Sequence, residues 1–102
     1  MITYVSIIHI NDDICKWLLT FVINRLNSMS KAIDNLYIEV GRRVVVARKA
    51  KGMSQEKLAA ECEIDRSHIG FIEQGRRRPT LSTLYKIAKA LDTSLEKLLK
   101  GL

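Results

Sequence analysis

The sequence predicts an all-α fold: five short helices in a compact bundle, preceded by an N-terminal extension. Two observations carry that expectation. From Lys31 onward apolar residues recur three or four positions apart, which is one face of a helix. Between these stretches stand residues that start or stop helices, among them Gly52, Ser54, Asp65, Gly75, Ser94 and Gly101. The short connections they leave suit a bundle.

The extension comes first. Residues 2–10 (ITYVSIIHI) are rich in β-branched residues and partly alternate, which predicts a strand. The following NDD at 11–13 then caps a helix through ICKWLLTFVINRLNS, residues 14–28. Charges within the first 28 residues cancel, and all six net positive charges of the 102-residue chain arise from Met29 onward. That shift sets a boundary, with residues 1–30 as the extension and 31–102 as the domain. Two readings of the extension stay open: an added dimerisation or packing element, or a stretch upstream of a true start at Met29. Its longest nearly apolar run, residues 17–23, is bounded by Lys16 and too short to cross ~30 Å of hydrocarbon. With no basic start and no small-residue cleavage site, a secretory signal is not expected.

The first helix of the domain, 31–51, carries Ile33, Leu36, Tyr37, Val40, Val44 and Ala47 on one face. It ends at Gly52, a residue free to take positive φ. Ser54 caps the second helix, QEKLAAEC. After a tight turn at Glu63 and Ile64, Asp65 caps the third, 66–74, and Gly75 closes it. Pro79 and Thr80 open the fourth, LSTLYKIAKAL, with Leu81, Leu84, Ile87, Ala88 and Leu91 expected to face inward. Ser94 caps the fifth, LEKLLK, whose Leu95, Leu98 and Leu99 precede Gly101.

Composition narrows the chemistry. A net charge of +6 on a small domain points to a polyanionic partner, nucleic acid first and an anionic membrane second. Cys15 and Cys62 lie far apart and form no CxxC or Cys/His cluster, so reduced thiols in a cytoplasm are expected and zinc is not. His9 and His68 stand alone, and no glycine-rich phosphate loop or GxSxG occurs. No catalytic residue, metal or cofactor is therefore assigned, and no enzyme is expected.

Leu58, Ala59, Cys62, Ile64, Ile69 and Ile72 have the spacing of a helix-turn-helix between helices 2 and 3. Periodicity alone does not separate that motif from an ordinary helical hairpin. The cap at Asp65, the small Ala59 at the crossing and the basic run after Gly75 favour the motif. In such a motif the second helix enters the major groove of double-stranded DNA, its first turns toward the base edges. Arg66, Ser67, Gly70 and Phe71 face outward there, with His68 at the flank. Arg66 suits a bidentate contact to guanine, and Ser67 adapts as donor or acceptor. Gly70 allows close approach, and Phe71 fits a thymine methyl unless it folds back over helix 2 or the following loop. Phosphates fall to the amides opening helix 2, to Gln55 and Gln74, and to Arg76, Arg77 and Arg78. Arg42, Arg43 and Lys57 extend the basic face.

The stretch VGRRVVVARKAKGMSQEKLAAECEIDRSHIGFIEQGRRRPTLSTLYKIAKALDTSLEKLL resembles the phage-repressor/Cro-type helix-turn-helix domain, the XRE family. The resemblance covers about residues 36–100. It is carried by Arg48, GMSQEKLA, Ile72-Glu73 with Gly75, and RPTLSTLYKIAKAL, and it implies a five-helix repressor-like bundle. Within the family, IDRSHIGFIEQGRRRPTL is most similar to the small controller proteins of restriction–modification systems. The resemblance implies that Arg48 and Glu73 pair, bracing helix 1 against helix 3. It also implies homodimers on inverted repeats, for which Leu99 and Leu102 are the apolar residues left over. Two departures stand out: Glu63 and Asp92 occupy turn positions that usually hold glycine, so both are expected to tolerate a left-handed backbone.

The expected function is a cytoplasmic, sequence-specific, DNA-binding transcriptional regulator, dimeric and without a cofactor. The alternative is an antitoxin-type module that binds a partner toxin, with residues 1–28 wrapping it. Membrane binding is disfavoured, because the basic residues surround a groove-reading helix rather than one face of an amphipathic one.

Overall fold

The computed structural model describes residues 12–102. The strand expected over residues 2–10, and Asn11, lie outside the described residues. Five helices follow in order: α1 Asp12–Ala50, α2 Gln55–Cys62, α3 Arg66–Glu73, α4 Leu81–Ala90 and α5 Leu95–Leu99. One expectation is corrected at once. The helices expected over 14–28 and 31–51 are a single 39-residue helix. Ser28, Met29 and Ser30 include neither glycine nor proline, so the backbone continues through the point where composition changes. The chain falls into two compact units, one ending at Ala32 and one beginning at Ile33.

In the first unit Trp17 stacks on Phe21 with ring centroids 5.6 Å apart, and the Arg25 guanidinium lies 5.5 Å from the Phe21 ring centre. Within the second unit the core gathers Val44 of α1, Met53, the α2 residues Leu58, Ala59 and Cys62, and Ile69 and Ile72 of α3. Ile87, Ala88 and Leu91 close it from α4 and its end, with Leu98 from α5. Burial pushes the Cys62 thiol pKa up, which suits an inert packing residue rather than a reactive one.

Three residues expected to face inward are exposed: Ile33, Leu36 and Leu81. Leu81 sits in the first turn of α4 and shares its stripe with the exposed Tyr85, so the buried stripe begins only at Leu84.

Caps end the helices as local chemistry requires. The hydroxyls of Ser54, Thr80 and Ser94 accept from the amides of Lys57, Thr83 and Lys97 at 3.1, 3.2 and 3.1 Å. Asp65 holds the N-cap position of α3 but its carboxylate makes no capping bond; its carbonyl accepts from the His68 and Ile69 amides instead. Glu63 and Asp92 adopt left-handed backbone at φ 57° and 54°.

Arg43 is also placed differently from expectation. Its Nη1 donates to the carbonyls of Leu98 and Lys100 at 3.1 and 2.6 Å, and its Nε to Glu39 at 3.2 Å. It therefore satisfies the open carbonyls at the end of α5 rather than extending a phosphate-binding face. Arg42 also bonds Glu39, at 2.6 Å through Nη2. Hydrogen bonds from Arg42, then Arg43, hold the Glu39 carboxyl down from 4.5 to about 2. A depressed carboxyl contributes stability that is present above pH 4.5 and lost as the pH falls toward 2. Glu39→Gln is thus expected to flatten the acid limb of the stability curve. Chemical denaturation from pH 5 downward checks this, and parallel curves for the two proteins would refute it.

Candidate nucleic-acid interface

α2 and α3 pack on one core, in which Leu58 and the small Ala59 of α2 are buried with Ile69 and Ile72 of α3. The chain reverses between them at Glu63, whose amide closes α2 on the carbonyls of Ala59 and Ala60. α3 thereby keeps one face in the core and presents the other. On that presented face Gln55, Arg66, Ser67, Gly70, Phe71 and Gln74 line one shallow hollow of 230 Å³. The structure thus brings the four residues assigned to base reading together, with two of those assigned to phosphates.

Their individual settings differ. Arg66 is exposed, with Nε 3.2 Å from Glu56 Oε1. Ser67 is exposed as well. Phe71 is half-buried, with the Arg77 guanidinium 5.5 Å from its ring centre. The ring therefore touches the following loop while still lining the hollow. At Gly70 an added Cβ would meet nothing within 4 Å beyond the adjoining turns of its own helix. A glycine inside a helix costs about 1 kcal/mol relative to alanine, and nothing within the protein requires one here.

The basic loop after α3 is anchored at one end. Arg78 Nη2 sits 2.8 Å from Asp34 Oδ1, and its guanidinium lies 5.6 Å from the Tyr37 ring centre. Arg76 and Gln74 are exposed. Gly75 follows α3 at φ +74°, and an added Cβ would fall 2.7 Å from Ile38 Cγ1 and 2.8 Å from its Cα. That close approach presses the loop onto α1.

Arg48 and Glu73 meet in a nearly enclosed pair. Arg48 Nε donates to Glu73 Oε1 at 2.6 Å, Nη2 to Oε2 at 3.3 Å, and Nη1 to the Met53 carbonyl at 2.9 Å. Gln55 Nε2 joins them by donating to Glu73 Oε2 at 2.7 Å. This turns the amide donor of Gln55 inward, away from the phosphate role assigned to it. No pattern in the sequence signals that third member, because Gln55 and Glu73 are 18 positions apart and meet only through the helix crossing.

At the far end of the chain Leu99 is half-buried and Leu102 exposed. A larger apolar surface, not anticipated from sequence, is formed by Leu81 and Tyr85. With Leu95, Glu61, Lys86 and Lys89 they line an open groove of about 700 Å³.

The helix-turn-helix family matches residues 46–98, a stretch spanning the end of α1 through α5. The chain belongs to that family. This helix-turn-helix protein is 42% identical over 67 residues to the control protein C.BamHI of Bacillus amyloliquefaciens, covering 65% of this chain and 83% of that one. It is 48% identical over 52 residues to control protein C.SmaI of Serratia marcescens, covering 51% and 62%. Among solved structures, the restriction–modification controller protein C.AhdI from Aeromonas hydrophila superposes with a TM-score of 0.60 at 40% identity, covering 61% of this chain and 94% of that one. The protein is a sequence-specific, DNA-binding transcriptional regulator of the XRE-type helix-turn-helix class. These relatives lend no support to the antitoxin alternative.

Proposed function

We propose that α3 enters the major groove of double-stranded DNA and that the hollow around Gly70 is the base-reading surface. Gly70 is the observation that carries this reading. It lies mid-helix, has no internal neighbour, and opens onto a hollow lined by donors and one aromatic ring. Arg66 then reads a guanine by paired hydrogen bonds, Ser67 adapts to either partner, and Phe71 packs on a thymine methyl. Gln74, Arg76, Arg77 and Arg78 supply phosphate contacts that position the helix. Arg48 and Glu73 hold α3 against α1, keeping the carboxylate away from the phosphates.

In this reading residues 31–102 carry DNA binding and residues 1–30 form an extension. The protein acts in the cytoplasm as a homodimer on an inverted repeat, with Leu99 and Leu102 contributing to the contact. The exposed Leu81 and Tyr85 offer further apolar area for it. Its similarity to restriction–modification control proteins supports a role in tuning transcription of such a gene set.

Gly70→Ala tests the reading through two opposite signs. The fold gains about 0.5–1 kcal/mol, since alanine loses less backbone freedom and meets no obstacle. Binding to the selected operator weakens, because the methyl group intrudes where DNA approaches. Arg66→Ala, measured beside it, costs about 1–3 kcal/mol on the cognate site and relaxes the preference for one guanine. Affinities against single-base operator variants, with the melting temperature of each protein, decide the matter. Unchanged base preferences in both variants would remove this face from recognition.

A further inference from the structure

The part of α1 up to Ala32 turns large apolar side chains outward on every side. Trp17, Leu19, Leu26 and Met29 are 58–64% exposed, and Val22 is 49% exposed. A helix apolar all round is the mark of an element that is covered when it works. The arrangement is periodic as well. Cys15, Leu19, Val22, Leu26 and Met29 are spaced alternately four and three apart, and the sequence continues the spacing to Ile33 and Leu36. That is a seven-residue repeat over three heptads, the seam of a left-handed coiled coil. Charge then selects the partner. The segment opens on the acidic Asp12 and Asp13, which outnumber the single Lys16 beside them, and the charges of its other end, Arg25 and Lys31, are both basic. Opposite signs at its two ends suit a second copy laid antiparallel, which also opposes the helix dipoles. A parallel copy would set acidic end beside acidic end.

We propose that this segment is a self-association element, in which two copies of the chain pair antiparallel along the seam. The register that seats Val22 on Leu26 of the partner subunit also seats Leu19 on Met29 of the partner subunit. It brings Asp13 within about one helical turn of Lys31 of the partner subunit. The seam is separate from the C-terminal leucines assigned to the dimer on DNA, so its failure and the failure of that reading are distinguishable. No helix among the described residues is long and apolar enough to cross a membrane.

Cross-linking reads the register directly in the full chain. With Cys15→Ser as background, Val22→Cys and Leu26→Cys proteins are oxidised separately and as a mixture. The mixture is expected to give a covalent dimer at least tenfold more abundant than either protein alone, and Trp17→Cys, off the seam, is expected to give none. In sedimentation, Leu26→Asp is expected to weaken association at least tenfold while helicity by circular dichroism stays unchanged. Val22→Ala, milder and still on the seam, serves should the aspartate disturb the helix. The proposal is overturned if the mixture fails to cross-link with helicity intact, or if Trp17→Cys cross-links as readily. Efficient joining of the parent chain through Cys15 would establish a parallel pair and overturn it too. So would binding to anionic phospholipid vesicles that Leu26→Asp abolishes while the mixture still gives no dimer.

Discussion

Gly41→Ala is expected to lower the stability of the domain by about 1–2 kcal/mol, although helix propensity alone favours it. The substitution sits inside α1, where alanine is better than glycine by about 1 kcal/mol. Packing opposes it. A Cβ at this position would press on the carbonyl oxygen of Ile72 and lie 2.7 Å from that of Glu73. Both atoms are backbone at the end of α3, so no side chain can rotate away. Relief requires α3 to move off α1, and overpacking of this kind costs about 1–3 kcal/mol, occasionally more. The clash wins because it displaces a whole helix, while the propensity gain is confined to one residue. Moving α3 also drags Glu73 from Arg48. Urea unfolding of Gly41→Ala beside Gly70→Ala is the check. The two identical substitutions, both at helix-interior glycines, are expected to shift the midpoint in opposite directions. A Gly41→Ala protein as stable as the parent would show that the helices do not approach this closely.

Glu73→Ala is expected to cost about 3–5 kcal/mol, because it strands a guanidinium that is nearly enclosed. The side chains of Arg48 and Glu73 are only 11% and 5% exposed, so solvent cannot replace the lost carboxylate. Gln55 loses its acceptor in the same step. Glu73→Gln is expected to cost less, since an amide oxygen can still accept from Arg48. The double variant Arg48→Met, Glu73→Leu is expected to recover much of the loss, because apolar groups of similar volume avoid the desolvation of two charges. A double-mutant cycle in chemical denaturation measures the coupling. A cost below about 1 kcal/mol for Glu73→Ala would place the pair among exposed ion pairs of little weight.

Much of the second unit was legible because helix signals are local. The three-and-four spacing of Leu58, Ala59, Cys62, Ile69 and Ile72 is a property of single helices, and each of these residues is buried. Ser54, Thr80 and Ser94 cap through atoms three positions away, and Glu63 and Asp92 turn left-handed within one residue. Misreadings fell where distant elements meet. Leu81 carries the right period but lies a turn beyond the core, and Arg43 is drawn to carbonyls 55 and 57 positions away. The change in charge near residue 29 suggested a break, yet backbone continuity depends on glycine and proline, not on charge.

Glycine shows the same division within one residue type. The sequence by itself determined α2 to α5, the caps at Ser54 and Ser94, the helix-turn-helix and the net positive charge. Tertiary structure alone decided that Gly41 lies against the backbone of α3, while the outward face that the sequence assigned to Gly70 stands open. Both are helix-interior glycines with identical local chemistry. They differ in what stands opposite: the carbonyls of Ile72 and Glu73 at one, and nothing beyond the adjoining turns of its own helix within 4 Å at the other. Periodicity reports which way a residue points along its own helix. What it meets there depends on how the helices cross, and that crossing is set by contacts far apart in the chain.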